Sequence, residues 1–301
     1  LNFHYSMPNT HLEHAEDTIL TGDLSIFDAL YSNAFHISLK MDGAPAVVWG
    51  TNPANGKFFV CTKAAFNKKK IRLCYTTEDI FTHFGHQDDV ADILYLMLKY
   101  MPRVDGVYQG DFLGFGRTEV FSNNTLTYIF GEKIYQKLVI APHTKYYIDG
   151  ELYDAAPLPI RTNFDDTPHV KFVMPIVDRI ASQIEPPIIN TDTVKFLSPK
   201  QANRAKQAIN QLIKSGVELD DGVLTTILRC PHLTNLYQWV IELKEDVIDS
   251  MIVYSDFDTF LPDGTQTVGE GFVYWSEEGA IKLVNRTVFS YVNFTEGKFN
   301  R

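Results

Sequence analysis

One lysine in this chain stands in a setting where it could act as a nucleophile. Lys40 forms a Lys-x-Asp-Gly pattern with Asp42 and Gly43. A lysine amine attacks only after it loses a proton, and its ordinary pKa of about 10.4 keeps it charged at neutral pH. Cationic neighbours or a metal ion can lower that pKa. Four residues with one wildcard also recur by chance, so the prediction of a lysine nucleophile depends on further lysines and carboxylates elsewhere in the chain.

Three such residues follow in order, each in a sequence typical of a β-strand. Asp111 lies in Gly-Asp-Phe, Glu270 opens Glu-Gly-Phe-Val, and Lys282 lies in Ile-Lys-Leu-Val. Taken singly, Asp111 could be a turn residue, Glu270 a surface acid and Lys282 a charge at a strand edge. Together with Lys40 they supply the nucleophile, the carboxylates and the second lysine that covalent phosphoryl chemistry needs.

The elements that must position these residues follow from the hydrophobic pattern. Lys40 lies within a stretch rich in β-forming residues, 35–48, and the apolar runs around Asn55-Gly56 predict a hairpin. Apolar residues at helical spacing predict a helix at about 87–101, and the opening, at about 11–32, also has a helical pattern. Further strands are predicted at about 106–115, 125–130, 137–141, 145–148, 271–275 and 280–285.

A change in composition after Pro157-Leu-Pro159 indicates an insertion. From about 168 to 255 the pattern is helical, and Ser198-Pro199 predicts an N-cap followed by proline in the first turn. The fold class predicted is therefore α+β, with a core of residues 1–156 and 266–301 interrupted by a helical insert, 157–265. That insert could bind substrate or act as a lid.

The ordered motifs resemble those of the covalent nucleotidyltransferase superfamily, which comprises ATP-dependent DNA and RNA ligases and mRNA-capping enzymes. Longer segments are similar to ligase-like proteins of T4-like phages and cyanophages. These segments are His-Leu-Glu-His at 11–14, Lys-Met-Asp-Gly-Ala-Pro-Ala at 40–46, Phe-Asn-Lys at 66–68, Val-Tyr-Gln-Gly-Asp at 107–111, Ala-Pro-His-Thr at 141–144, Glu-Gly-Phe-Val at 270–273, Lys-Leu-Val-Asn-Arg at 282–286 and the ending Phe-Ser-Tyr-Val-Asn-Phe. The resemblance covers most of the chain and implies a bacteriophage protein that acts in the host bacterial cytoplasm.

The resemblance also implies a role for each matching residue. Lys40 would accept the nucleotide, with Asp42 beside it in the catalytic motif, and Lys282 would grip the triphosphate. Glu270 would bind magnesium or manganese, and Asp111 would contact the ribose region and serve as a second metal ligand. Leu39, Gly43 and Lys63 are also expected to contact the ATP. The fold implied is an ATP-grasp-like ligase core of antiparallel sheets and helices.

The sequence departs from the family pattern at three places. The last strand often carries two lysines in alternation, but the second position here is Val284, and Arg286 is the candidate replacement. Ser38 and Leu39 occupy the positions where ligases often place a base-reading Glu, so ATP rather than GTP follows from the family alone. Tyr146 and Tyr147 are alternative candidates for stacking on the base, and a buried sheet tyrosine is the competing interpretation.

Composition limits the other classes of function. The net charge is −10, with 45% hydrophobic and 21% charged residues. This acidic balance disfavours a protein that only wraps nucleic acid, although a basic run of Lys68, Lys69, Lys70 and Arg72, near Lys63, could form a local groove.

The three cysteines favour a reducing compartment over a disulfide framework. No apolar run is long enough to span a bilayer. His11 and His14 could share a helix face and hold a metal, but two ligands do not make a site.

Only about 19 residues follow Lys282. DNA ligases and capping enzymes normally carry an OB fold there, whereas many RNA ligases do not. The leading expectation is thus a monomeric, ATP-dependent polynucleotide ligase that joins or repairs RNA in preference to DNA, without a C-terminal OB fold. The alternatives are a minimal DNA ligase, a protein that transfers nucleotide to another acceptor, and a protein that only binds nucleotide or nucleic acid.

Overall fold

The computed structural model of the chain describes residues 7–32, 34–180, 185–277 and 279–289. The protein is mixed α/β, with several largely antiparallel sheets, and it divides into two compact units. Unit 1 contains the start of the chain up to Thr10, Met41–Pro175 and Ser255–Thr267, whereas unit 2 contains His11–Lys40, Ile176–Tyr254 and Val268–Arg301. The predicted α+β class is confirmed at this level. The division into a core of 1–156 and 266–301 and an insert of 157–265 stays a prediction.

Unit 1 is built on a six-stranded sheet. Its strand order is β3-β2-β4-β7-β8, and β9 pairs with β7 in parallel. The strands are β2 (Ala46–Thr51), β3 (Phe58–Thr62), β4 (Val107–Phe115), β7 (Leu138–Tyr147), β8 (Ala156–Pro159) and β9 (Val170–Phe172). A second sheet, in the order β13-β12-β6-β5, contains β5 (Thr118–Ser122), β6 (Thr127–Ile134), β12 (Phe257–Phe260) and β13 (Gln266–Thr267).

Two helices of unit 1 bury their apolar faces in one hydrophobic cluster with β2, β3, β4 and β7. They are α2 (Thr77–Phe84) and α3 (Asp88–Tyr100), so the helix predicted at 87–101 is confirmed. Ile93, Leu94 and Met97 are buried on α3. Fully burying side chains of this size stabilises a fold by about 1.5–3 kcal/mol each.

Unit 2 combines a three-stranded sheet with most of the remaining helices. The sheet has the order β1-β14-β15, and a separate ribbon pairs β10 with β11. The strands are β1 (His36–Leu39), β10 (Ile176–Arg179), β11 (Met251–Tyr254), β14 (Gly271–Ser276) and β15 (Gly279–Val284). The helices are a 3-10 helix (Ala15–Thr21), α1 (Ser25–Tyr31), α4 (Pro199–Lys214), α5 (Asp221–Leu228) and α6 (Pro231–Asp249).

Local sequence signals account for several of these boundaries. Ser198 caps α4 by accepting a hydrogen bond from the Gln201 amide, and the Gln201 side chain accepts one from the Ser198 amide in return. The hairpin predicted around Asn55-Gly56 joins β2 to β3, and its loop extends over residues 52–57. The strands predicted at 106–115, 271–275 and 280–285 are confirmed as β4, β14 and β15.

Three predictions of secondary structure were wrong in part. The opening, 11–32, is not one helix, because a 3-10 helix ends at Thr21 and α1 begins at Ser25, whose amide donates to the Asp23 carboxylate. The two strands predicted at 137–141 and 145–148 are a single strand, β7. The helical stretch predicted at 168–255 begins with β9 and β10 and is helical only from Pro199 to Asp249. Pairing of β9 with β7, about 30 residues away in sequence, overrides local propensity there.

Candidate active site

The sheet of unit 2 positions Lys40 directly beyond the end of β1. Leu39 pairs with Phe272 of β14, and the Lys40 amide donates to the Gly271 carbonyl over 2.8 Å. This antiparallel pairing brings the residue before β14, Glu270, next to Lys40. The Lys40 ammonium donates to Glu270 Oε2 over 2.6 Å, and 33% of the lysine side chain is exposed. The lysine is therefore held by a carboxylate and is accessible to a ligand.

Glycine at 271 is required for this arrangement. Gly271 has φ +156°, and a Cβ at this position would lie 2.2 Å from the Leu283 carbonyl oxygen on β15. Any side chain would push β14 away from β15 at the point where Glu270 enters the sheet. The Glu-Gly pair of the sequence motif thus has a mechanical reason. It keeps the Glu270 carboxylate within hydrogen-bonding distance of the Lys40 ammonium.

Lys282 lies on the next strand of the same sheet. It pairs with Val273 across β14 and β15, and its amide donates to the Glu13 carbonyl over 3.3 Å. Burial, followed by the charges of Lys40 and Arg286, lowers the pKa of the Lys282 ammonium. Within the described ranges no carboxylate pairs with this ammonium at ion-pair distance. A half-buried cation with no carboxylate at ion-pair distance favours binding of an anion.

Unit 2, which carries these lysines, also contains a buried ion-pair network. Arg286, only 4% exposed, contacts Asp17 Oδ1 at 3.0 Å and Glu16 Oε1 at 3.4 Å. The Lys244 ammonium donates to both oxygens of Glu16 over 3.0 Å. Burial alone would raise the pKa of Glu16, but the charges of Lys244 and Arg286 lower it below its usual value. The pKa of Asp17 is raised, chiefly by burial.

The network determines what Arg286 does in this structure. Its guanidinium also donates to the Tyr237 hydroxyl over 3.2 Å and to the Asn210 side chain. These contacts tie the segment that follows β15 to the 3-10 helix, α4 and α6 within unit 2. Arg286 therefore has a structural role, and its contact with the nucleotide stays a prediction. Leu39 is likewise buried, and its side chain lies against Gly269. Its contact with the nucleotide also stays a prediction.

In unit 1, Asp42 and Gly43 form the second half of the Lys-x-Asp-Gly motif. Asp42 Oδ2 accepts hydrogen bonds from the amides of Thr125 and Leu126 over 2.7 and 2.9 Å. The Asp42 amide donates to the Tyr128 hydroxyl over 2.6 Å. A Cβ at Gly43 would lie 2.8 Å from the Phe112 carbonyl oxygen. The motif's aspartate and glycine thus fix the chain that follows Lys40 within unit 1.

Asp111 lies on β4 of unit 1. It pairs with Ala46 of β2 and Ala141 of β7, and its Oδ2 lies 3.6 Å from His143 Nε2. The carboxylate is partly exposed, which leaves it accessible to a sugar hydroxyl or a metal ion. Both of these roles stay predictions. Among the described residues, no cluster of three or more His, Cys, Asp or Glu side chains has a geometry suited to a metal ion.

The two tyrosines proposed for base stacking differ in burial because neighbouring residues of β7 face opposite sides of the sheet. Tyr146 is buried, its hydroxyl donates to Gln109 Oε1 over 2.6 Å, and its ring lies 4.3 Å from that of Phe66. Burial raises the pKa of Tyr146 above its usual range. Tyr147 is 41% exposed. Tyr146 matches the buried-tyrosine interpretation, which leaves Tyr147 as the better candidate for contact with a ligand.

The basic run in unit 1 is exposed throughout Lys68, Lys69 and Lys70, and so is Lys63 at the start of a short 3-10 helix, Lys63–Phe66. The Asn67 side chain accepts hydrogen bonds from the amides of Lys69 and Lys70 and so orders the turn. The Lys68 ammonium lies 5.1 Å from the centre of the Tyr153 ring. These lysines are available to contact phosphates.

The sequence profile of a family of unknown function, DUF6267, matches residues 9–229 and 228–298. The chain belongs to this family. Neither a curated protein nor a solved structure matches the chain. Membership of the DUF6267 family covers both units and all the candidate site residues, but the family's description assigns none of them a role.

The sequence reasoning missed the carboxylates and the lysine of the buried network in this DUF6267 chain. One signal could have indicated them, because Lys244 follows Tyr237 and Val240 at helical spacing on the buried face of α6. A lysine at such a position needs a buried counter-ion. Glu16, which precedes the apolar residues Ile19 and Leu20, provides it.

Two further expectations concern histidines and membranes. His11 and His14 do not share a helix face, because the helix begins only at Ala15, and His14 instead forms a bridge with Lys282. His11 is exposed. Across the described parts of the chain, no helix combines the length and the apolar character that are needed to cross a bilayer.

Proposed function

We propose that this protein transfers a nucleotide from a nucleoside triphosphate, ATP in preference to GTP, to Lys40. The observation that carries the proposal is the contact of 2.6 Å between Lys40 and Glu270 on a sheet whose next strand presents the half-buried Lys282. Sequence order alone linked Lys40, Glu270 and Lys282 to the nucleotidyltransferase superfamily. Lys40, which is distant in sequence from the other two, meets them at one small sheet. The membership of that superfamily and its ligase core fold are part of the proposal.

The reaction follows from the chemistry of these groups. The Lys40 ammonium first releases a proton to solvent and becomes a neutral amine. The lone pair of this amine forms a P–N bond to the α-phosphorus as the P–O bond to pyrophosphate breaks, and the nitrogen then releases a second proton to solvent. Lys282 provides positive charge for the phosphates, where charge builds in the transition state. Glu270 holds the ammonium of Lys40 before the reaction and is the carboxylate nearest to the proton that must leave.

Magnesium fits the carboxylate that unit 2 offers beside Lys40. This ion is commonly held by one or two carboxylates together with substrate phosphates rather than by a complete protein cage. Glu270 supplies one carboxylate beside the nucleophile. A metal role for Asp111, which belongs to unit 1, rests on the sequence resemblance alone. When bound, the ion would offset the negative charge of the phosphates. Manganese has the same preference for oxygen ligands.

Removing the charge of Glu270 or Lys282 tests the proposed roles directly. We expect Glu270→Gln and Lys282→Met each to slow nucleotidylation of Lys40 at least about 100-fold, a loss of roughly 2.7 kcal/mol of transition-state stabilisation. Both variants should unfold cooperatively near the wild-type temperature, because neither residue belongs to the buried network. Single-turnover labelling with ATP, followed by calorimetry of the same samples, measures the two properties.

Glu277→Gln is the matched control for these variants, because Glu277 is an exposed carboxylate at the other end of β14. It should leave the labelling rate unchanged. Full activity of Glu270→Gln and Lys282→Met, or unfolding of both, would show that the two residues have been assigned the wrong roles.

We further propose that the nucleotide is passed to the 5′-phosphate end of a nucleic acid and that a 3′-hydroxyl then displaces it and seals the strand. Two surfaces support contact with a polymer. One consists of the exposed lysines of the basic run, Lys68–Lys70, and the other is the exposed pair Lys200 and Arg204 on α4. Lys206 contributes less, because its ammonium pairs with Glu13 over 2.6 Å. As expected from the sequence, we propose that the nucleic acid is RNA in preference to DNA.

The choice of polymer is tested with matched RNA and DNA substrates, each nicked, single-stranded or tRNA-like. We expect RNA ends to be joined faster, because contacts from the protein to the 2′-hydroxyl can form with RNA and not with DNA. Sealing should fall steeply with salt, and changing Lys68, Lys69 and Lys70 to Ala should lower the log–log salt slope by about 0.7–0.9 for each lost phosphate contact. Labelling of Lys40, which needs no polymer, should be spared.

Lys133→Ala, at an exposed lysine on β6, is the control for loss of charge alone. Equal or better sealing of a DNA nick would replace the RNA assignment with that of a minimal DNA ligase. A labelled Lys40 without sealing of any strand would indicate transfer to another acceptor.

A further inference from the structure

His14 lies next to the proposed phosphate-binding lysine but has no part in the function proposed so far. It directly precedes the 3-10 helix Ala15–Thr21 and forms an isolated parallel bridge with Lys282 of β15. The Lys282 amide donates to the carbonyl of the preceding residue, Glu13, over 3.3 Å. The backbone of His14 is therefore fixed beside the strand that carries Lys282.

The imidazole of His14 has an unfavourable environment within unit 2. Its Nδ1 atom is buried, and it has no hydrogen-bond partner in the part of the chain that the structure describes. Burial is the main reason that the pKa of His14 is lowered to about 2, and nearby positive charges lower it further. These charges are those of Arg286, Lys282, Lys244 and Lys40.

The negative charges in this region are already engaged with other groups. Glu16 binds Lys244 and Arg286, while Asp17 binds Arg286 and accepts a hydrogen bond from Tyr237. Glu270 binds Lys40, and Glu13 binds Lys206. Among the described residues, no carboxylate lies at ion-pair distance from Lys282 or His14, and the charges of Glu270 and Asp17 act on Lys282 from farther away. The region thus combines a cation that has no directly bound carboxylate with an imidazole that burial, and then neighbouring cations, keep neutral.

A compact anion of high charge would change both conditions at once. It would supply a directly bound counter-charge for Lys282, and it would make protonation of the neighbouring imidazole favourable. An imidazolium could then donate a charge-assisted hydrogen bond to an anionic oxygen. A singly charged carboxylate offsets only one positive charge, whereas the chain of phosphates in a nucleoside triphosphate carries several adjacent charges.

We propose that His14 is a further residue of the phosphate-binding site, which takes up one proton from solvent when the polyphosphate of a nucleoside triphosphate binds beside Lys282. The proton returns to solvent when pyrophosphate leaves. The identity of the anion rests on the proposed nucleotidyl transfer, whereas the site itself rests on the charges around His14.

The proposal is tested by an NMR titration of the ring signals of His14 in the full chain, with and without inorganic tripolyphosphate. The His14 signals are those that disappear in His14→Gln. Without the anion they should keep neutral-imidazole shifts down to about pH 5, since the pKa is far below its ordinary value of about 6.5. With the anion they should move to imidazolium shifts. Titration near the ordinary pKa without anion, or no response to tripolyphosphate, would overturn the proposal.

Calorimetry in two buffers of different ionisation enthalpy gives an independent measurement. The wild-type chain should take up about one proton more per bound tripolyphosphate than His14→Gln, because the linked proton is lost with the imidazole. The variant should also bind at least about tenfold more weakly. His11→Gln, at an exposed histidine three residues earlier, should match the wild type in both respects.

The outcomes separate this inference from the proposed function. If ATP labels Lys40 while His14 stays neutral in saturating tripolyphosphate, the inference fails and nucleotidyl transfer stands. If tripolyphosphate protonates His14 but neither ATP nor GTP labels Lys40, the anion site stands and nucleotidyl transfer fails.

Discussion

Replacing Lys40 by Arg is expected to reduce formation of a covalent protein–nucleotide adduct at least about 1000-fold, to below detection. The substitution keeps the positive charge, so it can keep an ion pair with Glu270. A guanidinium stays protonated under all relevant conditions and cannot act as a nucleophile. The loss should therefore be one of chemistry and not of folding. Labelling with ATP carrying a radioactive α-phosphate, read on a denaturing gel, measures it.

Lys57→Arg is the matched control, because Lys57 is exposed in the loop between β2 and β3. It should label at the wild-type rate. A label that persists in Lys40→Arg would show that another residue accepts the nucleotide. The melting temperature of Lys40→Arg should stay near that of the wild type, which distinguishes loss of the nucleophile from loss of structure.

The second large effect concerns stability. Replacing Arg286 by Met should lower the free energy of unfolding by about 3–5 kcal/mol, because it leaves the buried carboxylates of Glu16 and Asp17 with Lys244 as their remaining cation. Removing one partner of a buried ion pair costs far more than the pair contributes when intact. Urea unfolding followed by circular dichroism measures the change.

An exposed ion pair provides the comparison. Lys206→Ala breaks the pair with Glu13, whose side chain is 52% exposed. Pairs of this kind contribute about 0–1 kcal/mol, so this variant should stay within about 1 kcal/mol of the wild type. If Arg286→Met were equally mild, the guanidinium would not be holding the carboxylates, and a direct contact of Arg286 with a ligand would become the better explanation for its presence.

Local sequence signals predicted the parts of the fold whose causes are local. The helix α3 follows from the spacing of its apolar residues, and the start of α4 follows from the capping box at Ser198. The strand settings of Glu270 and Lys282 were also correct. In each case the determining contacts lie within a few residues, so a pattern in the sequence is sufficient.

The features that the sequence did not predict depend on distant partners. The pairing of β1 with β14 joins residues about 230 positions apart, and it alone brings Glu270 to Lys40. The buried network is equally long-range, since Glu16 meets Lys244 on a helix more than 200 residues later. Burial of the Arg286 guanidinium follows from that network. No local propensity encodes which carboxylate neutralises which cation.

Transfer of a nucleotide to Lys40 can be measured on the wild-type chain itself. The protein is incubated with magnesium and ATP or GTP, and its intact mass and its peptides are then measured under alkaline conditions that preserve a P–N bond. We expect the mass to increase by one nucleoside monophosphate, located on Lys40 in the peptide that contains Asp42 and Gly43. No adduct with either nucleotide, or an adduct on a different residue, would contradict it.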